Sequence, residues 1–447
     1  MTPAAPEILQ KLCPGRKNDA PLFAVVGAGR SGRAAVRLLC ALGLSVRLLE
    51  KDFDALPDGF KAFLAAHPEI DCRPGEHMRT FFEGCDVLVP SPGAAAAQLM
   101  PLLPENDPPQ IMAETELAWR LLEGEPVLGV TGTSGKTTTV SLCSAMLREA
   151  GKNVFTGGNI GIPLSEYVLA RLGGERKADV IVLELSSFQL QTCSTLRPHA
   201  AVWLNISPNH LDYHKDMREY AEAKMKIFAC QTPEDYAILD ESVRPYMERS
   251  GTAARTVYYD AASRRFSEMQ LQGKHNRANA EAAWQACRVF GVSEESAAKA
   301  VREFKPLPNR LEKVADVAGV TYVNDSKCTT LAALKTAVEA VEPPIILLAG
   351  GKFKGGDPAG LVPVMKGRVR HVALYGASRS VFETAWSQDL PVSWDETLRE
   401  ALARARHLAS PGDCVLLAPA TASFDQYKNY EERGTDFREA VLSMRQD

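Results

Sequence analysis

Apolar residues in this chain fall into short runs that each break off in glycine or in a polar turn. Leu22–Val26 (Leu-Phe-Ala-Val-Val) leads directly into Gly27-Ala-Gly-Arg-Ser-Gly32, the pattern of a buried strand entering a glycine turn. Small and apolar residues then recur at helical spacing (Ala34, Ala35, Leu38, Leu39, Leu42), and Gly43 supplies the stop. A further apolar run over 44–49 ends at Glu50, which predicts a β-α-β unit with an acid 23 positions after its first glycine. Pro101, Pro104, Pro108 and Pro109 crowd a stretch that suits neither a helix nor a central strand, and a module boundary is placed just beyond it.

The same grammar repeats downstream. A helix over 114–123 is expected, then a strand over 127–130, a glycine loop, and a helix with Val140, Cys143, Met146 and Leu147 on one face. Strands are predicted at 180–185 and 201–206, an Ala-rich helix at 277–290, and a break at Pro306 and Pro308. Beyond it strands return at 321–323, 345–349, 371–375 and 414–418, with helical stretches between them. The expectation is an α/β protein of three domains: a Rossmann-like module over 1–112, a phosphate-loop ATPase module over 113–308, and a Rossmann-like module over 309–447. A length of 447 residues agrees with this at roughly 150 residues per domain.

Composition narrows the partners. With 51 basic against 55 acidic residues and a net charge of −4, a mainly electrostatic nucleic-acid binder is not expected. Ten scattered cysteines without a Cys-x-x-Cys suggest neither a zinc site nor a disulfide framework. The N-terminus lacks the charged and apolar regions of a secretory signal, and no 18-residue uncharged apolar run occurs. A cytoplasmic protein without a membrane span is expected.

Four groups of residues carry candidate chemistry. In Gly129-Val-Thr-Gly-Thr-Ser-Gly-Lys-Thr-Thr-Thr139 a strand enters and a helix leaves a glycine loop, so backbone N–H groups and a positive helix end face one point where a polyphosphate can sit. Lys136 suits the outer phosphates and the Thr137 hydroxyl suits Mg²⁺. Glu184 ends an apolar run, where a carboxylate needs compensation such as a metal. His210 and Asp212 follow a strand, and Lys224 and Lys226 share a helix between which composition does not choose. In the last third, Asn324-Asp-Ser-Lys-Cys-Thr329, Gly350-Gly-Lys-Phe-Lys-Gly-Gly356 and Pro419-Ala-Thr-Ala-Ser-Phe-Asp425 each follow a strand, where open α/β sheets bind ligands. Lys327 and Lys354, with the hydroxyls of Thr329 and Ser423, suit a small anion such as an amino-acid dicarboxylate.

Together with Gly157-Gly-Asn-Ile-Gly161, Glu184-Leu-Ser-Ser-Phe-Gln-Leu190 and Ala422-Ser-Phe-Asp-Gln-Tyr427 followed by Arg433-Gly434, these segments resemble the Mur ligases, the ATP-dependent amide-forming enzymes of peptidoglycan synthesis, and within them the D-glutamate-adding branch. The resemblance spans about residue 22 to the C-terminus. It implies that ATP phosphorylates the carboxylate of UDP-N-acetylmuramoyl-L-alanine and that the D-glutamate amine attacks the acyl phosphate through a tetrahedral intermediate. Lys136, Glu184, His210 and Lys224 then match the catalytic positions, and Thr137, Glu184, His210 and Lys224 match the surroundings of two Mg²⁺ ions. Lys224 matches the lysine that members of the family carry as a CO₂-derived carbamate. Gly132, Thr133, Ser134, Gly135, Lys136, Thr137, Thr138, Asn279, Arg310 and Asp325 match ATP contacts. Ser31, Gly32, Lys51, Ser91, Gly93 and Asn159 match the nucleotide-sugar site, and Lys327, Thr329, Lys354, Ser423 and Tyr430 the D-glutamate and acyl-phosphate site. A monomer is expected. Ser134 stands where its loop usually has Asn, Asn309 where it has His, and Tyr430 where it has Phe.

Three other readings compete. Another Mur ligase or a folylpolyglutamate synthetase-like ligase shares the phosphate loop. A NAD-dependent oxidoreductase would use the first glycine fingerprint with Glu50, but gives the second glycine loop no role. A non-catalytic nucleotide switch leaves the three C-terminal turns unexplained.

Overall fold

The computed structural model describes residues 6–14, 20–91, 99–210, 213–271 and 273–444. Three sheets follow one another along the chain. The first holds β1 (Leu22–Val26), β2 (Ser45–Glu50), β3 (Asp71–Pro74), β4 (Val87–Pro90) and β5 (Gln110–Ile111) in the order β3-β2-β1-β4-β5, all parallel. The second holds β6 (Val127–Thr131), β7 (Val154–Gly158), β8 (Val180–Glu184), β9 (Ala200–Trp203), β10 (Tyr236–Leu239) and β11 (Arg255–Tyr258), ordered β11-β10-β9-β6-β8-β7 and again parallel. The third runs β12-β13-β17-β14-β15-β16, from β12 (Glu312–Val317), β13 (Val320–Asn324), β14 (Ile345–Gly350), β15 (Val369–Tyr375), β16 (Val392–Asp395) and β17 (Cys414–Leu417). Here β12 and β13 form an antiparallel hairpin, turned through Ala318 and Gly319, both at positive φ as a tight primed turn requires. The remaining pairings are parallel, so the central strands are buried on both faces and read as unbroken apolar runs such as Ile345–Gly350.

By packing, the chain forms two compact units. One comprises 1–266 and 278–301 and holds the first two sheets; the other comprises 267–277 and 302–447 and holds the third. Their apolar cores reflect this. In the first unit, Val25, Leu38 and Leu48 of the first module and Leu183, Leu190 and Trp203 of the second belong to one continuous cluster.

Several elements differ from their sequence expectation. The N-terminal segment, read as polar, forms a helix over Pro6–Leu12 whose Leu9 and Leu12 are buried. The helix expected over 114–123 ends at Trp119, and the strand expected over 201–206 is Ala200–Trp203. The Ala-rich helix runs Lys274–Cys287 before a 3₁₀ turn at Arg288–Phe290. All ten cysteines are free thiols. Among the described residues no helix is long and apolar enough to cross a membrane.

Candidate active site

The phosphate loop leaves the centre of the second sheet. β6 ends at Thr131, and Gly135, at φ +84°, turns the chain into the helix Lys136–Glu149. Only glycine takes this conformation without strain, and a Cβ there would lie 2.5 Å from Asn279 Oδ1, so Gly135 also makes room for Asn279. Lys136 Nζ donates to the carbonyls of Gly132 (2.7 Å) and Thr133 (3.0 Å), folding its charge over the loop. Ser134, in the slot where Asn was expected, is held through its backbone: its N–H donates to Asn205 Oδ1 and its carbonyl accepts from Asn205 Nδ2. Thr138 is buried behind the loop.

Glu184 ends β8, the strand beside β6, and its carboxylate is buried. Thr137 Oγ1 donates to Glu184 Oε2 at 2.7 Å, and Asn159 Nδ2 donates to Oε1 at 2.8 Å. Asn159, matched to the nucleotide-sugar site, is thereby placed directly on the Glu184 carboxylate. The oxygen atoms of Thr137 and Glu184 form the hard donor set that Mg²⁺ prefers.

The geometry separates Lys224, in the helix Met217–Met225, from Lys226. Lys224 is wholly buried, its Nζ donating to the Gly132 carbonyl at 2.9 Å and lying 4.6 Å from the centre of the Tyr220 ring. Lys226 lies beyond the end of that helix, exposed, and donates to the Gln191 carbonyl. Burial, reinforced by the nearby Lys136 charge, holds the Lys224 pKa well below the usual lysine range, against the opposing pull of Glu184.

His210 lies in the loop after β9, on the other side of β6 from Glu184, with φ +57° and its ring edge-on to Phe188 at 4.8 Å. Asp212 lies outside the described residues. Sequence reasoning missed His214, which is buried and shares a 2.9 Å hydrogen bond with Ser187. It also missed Tyr220, whose hydroxyl lies 3.2 Å from Thr133 Oγ1. The Leu-Ser-Ser-Phe-Gln-Leu segment has a local cause: Ser186 and Gln189 form a capping box that starts the short helix Ser187–Gln191 and sets Phe188 beneath His210.

In the first sheet, the turn after β1 is tied down on both sides. Ser91 Oγ donates to the Gly27 carbonyl at 2.7 Å, and a Cβ on Gly32 would stand 1.9 Å from that same carbonyl oxygen. Ala28 N–H donates to Glu50 Oε2 at 2.6 Å, so the acid that an oxidoreductase would place on a ribose closes the loop here. Ser31 lies in the first turn of the helix Arg30–Ala41, and exposed Lys51 pairs with Glu76 at 2.7 Å. Gly93 lies outside the described residues.

In the third sheet, the three polar turns leave β13, β17 and β14, which are adjacent strands. Lys352 and Ala422 exchange backbone hydrogen bonds, joining the glycine turn to the one that carries Ser423. Lys327 Nζ stands 3.8 Å from the centre of the Tyr430 ring. Thr329 is half-buried, Ser423 buried and Lys354 exposed. Arg433, wholly buried, donates to Ser326 Oγ and to the carbonyls of Ser326 and Thr421, pinning two of the turns together. Asn309 occupies the left-handed region at φ +62° and its side chain accepts from Asn324 Nδ2 at 2.9 Å. Its neighbour Arg310 opposes the effect of burial on Asp325, whose pKa is nonetheless pushed up to about 7.

The Mur ligase middle-domain model matches residues 130–264, and the model of the Mur ligase glutamate ligase domain matches 309–421. The chain is 56% identical over 421 residues to the UDP-N-acetylmuramoylalanine--D-glutamate ligase of Oleidesulfovibrio alaskensis, covering 94% of each chain. It is 57% identical to the protein of that name from Nitratidesulfovibrio vulgaris strain DP4, over 94% of this chain and 96% of the relative. A solved MurF from Acinetobacter baumannii superposes with a TM-score of 0.59 at 14% identity, over 100% of this chain and 99% of that one, a likeness of fold. Three α/β modules in this order, with the phosphate loop in the second and relatives this similar along nearly the whole length, mean that the chain belongs to the Mur ligase family.

Proposed function

We propose that the chain ligates D-glutamate to UDP-N-acetylmuramoyl-L-alanine with conversion of ATP to ADP and phosphate, a step in peptidoglycan precursor synthesis. One observation carries most weight: Thr137, Asn159 and the buried Glu184 carboxylate form a single hydrogen-bonded set beside the phosphate loop, in a chain 56% identical to D-glutamate ligases. The first module, 1–112, is the nucleotide-sugar holder, 113–308 the ATPase, and 309–447 the amino-acid module.

A carboxylate is a poor electrophile, and phosphorylation of the alanyl carboxylate by ATP supplies a leaving group. The loop amides and Lys136 bind the phosphates, with Asn279, Arg310 and Asp325 as further ATP contacts. Mg²⁺, when bound, offsets charge on the transferring phosphoryl group, and Thr137 and Glu184 suit one ion while His210 suits a second. Lys224 enters through its neutral amine, which burial beside Lys136 favours; reaction of that amine with CO₂, with loss of one proton, would give a carbamate anion suited to hold the second ion. Ser31, Gly32, Lys51, Ser91 and Gly93 serve the nucleotide sugar. Lys327, Thr329, Lys354, Ser423 and Tyr430 orient D-glutamate so that its amine attacks the acyl carbon and phosphate leaves. The enzyme works as a cytoplasmic monomer.

Phosphate release from ATP is expected to require both the alanyl nucleotide and D-glutamate. Release measured with D-glutamate, L-glutamate, meso-diaminopimelate and L-lysine tests this, and turnover with any amino acid but D-glutamate overturns the assignment.

A further inference from the structure

At the end of the first sheet away from its glycine loop, three side chains of different chemistry meet around one point. Cys40 lies in the last turn of the helix Arg30–Ala41, about 15 Å along it from Arg30, just before the chain enters β2. His67 follows the next helix, Asp58–Ala66, and Glu69 lies two residues on, in a turn closed by the Ile70 N–H donating to the His67 carbonyl at 3.1 Å. Cys40 Sγ stands 3.3 Å from His67 Nδ1 and 3.8 Å from Glu69 Oε1, and Nδ1 stands 3.0 Å from Oε1. None of these residues has a part in the mechanism above.

Hydrogen bonding explains this convergence only in part. His67 Nδ1 carries either one proton or one lone pair, so it acts as donor to Glu69 or as acceptor for the thiol. A cation satisfies all three groups at once. Sulfur at about 2.3 Å and nitrogen and oxygen at about 2.0–2.2 Å from a tetrahedral zinc ion stand about 3.4–3.6 Å from one another, so the observed spacings need to change by only about 0.2–0.4 Å. One thiolate, one imidazole and one carboxylate select zinc over magnesium, which keeps to oxygen. Cys40 is 7% exposed, whereas the His67 and Glu69 side chains are 35% and 37% exposed, so an ion can enter from solvent and keep a fourth position for water. The His67 ring packs against Phe63 with centres 4.4 Å apart, which restrains its orientation. The sequence hides the group, because 27 positions separate Cys40 from His67 and no Cys-x-x-Cys marks it.

We propose that Cys40, His67 and Glu69 bind one Zn²⁺ ion, which clips the end of the helix Arg30–Ala41 to the turn before β3. Binding transfers the Cys40 thiol proton to solvent and leaves the His67 ring proton on Nε2. Thiolate and carboxylate then balance the two charges of the ion. The role is structural, and it stands independently of the ligase reading.

The test uses tag-free, full-length protein stripped with a chelator and titrated, in excess Mg²⁺, with Co²⁺ as a spectroscopic stand-in and then with Zn²⁺. Expected results are one Co²⁺ with a thiolate charge-transfer band, its displacement by Zn²⁺, and a zinc-dependent rise in Tm. Cys40→Ser is expected to lose the band, and His67→Gln and Glu69→Gln, at partly exposed positions, to lose at least about tenfold in Co²⁺ affinity and most of the Tm rise. Co²⁺ bound without the band, or a band that persists in Cys40→Ser, overturns the proposal, because the metal then sits elsewhere. Should Cys40→Ser fail to fold, the other two variants decide: affinity and Tm rise equal to wild type in both overturn it. A wild-type Tm that zinc leaves unchanged or lowers does the same.

Discussion

Asp325 offers a quantitative test of how the second unit is built. It follows β13, its carboxylate accepts from the Leu311 N–H at 3.3 Å, and burial lifts its pKa from 3.8 to about 7 despite the Arg310 charge. Between about pH 4 and 7 the folded chain therefore holds a proton that the unfolded chain has lost. Stability conferred by this group is full below the unfolded pKa and declines as pH rises through the folded one. A gap of about three pH units sets a ceiling of about 4 kcal/mol on that loss, and the residual solvent contact of a half-buried carboxyl lowers it.

Asp325→Asn replaces the carboxyl with a neutral group of the same shape and removes the titration. In the ligand-free protein the variant is expected to match wild type at pH 4 and to exceed it at pH 8 by up to about 4 kcal/mol. Hydrogen exchange of peptides from β13 and β17, followed against urea at pH 5, 6, 7 and 8, reads the stability of this unit directly. The same variant is expected to raise the KM for ATP, because stability and function pull this residue in opposite directions. Parallel pH profiles in wild type and variant, or an Asn variant less stable at pH 8, would refute the reasoning.

Lys224→Ala is expected to lower kcat by about 10²–10³-fold, with partial rescue by short-chain carboxylates, while Lys226→Ala stays near wild type; unchanged activity in Lys224→Ala removes the carbamate. Gly135→Ala is expected to cost about 1–2 kcal/mol of stability from its left-handed backbone and to weaken ATP binding further by displacing Asn279, measured by thermal shift and by ATP titration. For Arg433→Lys, loss of the fork across Ser326 and Thr421 is expected to cost about 1.5–3 kcal/mol and to raise the KM for D-glutamate more than the KM for ATP; equal changes in both would mark a general loss of structure.

What the sequence disclosed depended on range. The strand, glycine loop and helix of Gly129 to Thr139 were legible because the signal is local: apolar run, conformational exception, helical face. So was the β-α-β unit ending at Glu50, and so were the three polar turns, each announced by the strand before it. That those turns leave adjacent strands follows from the insertion of β17 between β13 and β14, a pairing between residues some 70 to 90 positions apart that no local pattern encodes. The choice of Lys224 over Lys226 was equally invisible, since it depends on which side of a short helix meets the Gly132 carbonyl. His214 and Tyr220 escaped because their partners, Ser187 and Thr133, lie after other strands. The Pro6–Leu12 helix was missed for a simpler reason: seven residues with two buried leucines carry too little periodicity to stand out from a polar terminus.

Each unit buries one basic side chain against the carbonyls of a loop. Lys224 and Arg433 are both wholly buried, and among the described residues neither forms an ion pair; each donates to carbonyl oxygens of a loop that is assigned to an anionic ligand. Charges placed this way cost stability, since carbonyl dipoles only partly replace hydration. An apolar residue of similar size would make the fold cheaper to form, but it would not set a loop's carbonyls back from the ligand while leaving positive potential in front of it. Near-neutral overall charge is then no obstacle to binding polyphosphates and dicarboxylates. On the proposed reading, an anion arriving at either loop would recover part of what folding gave up in desolvating these basic groups.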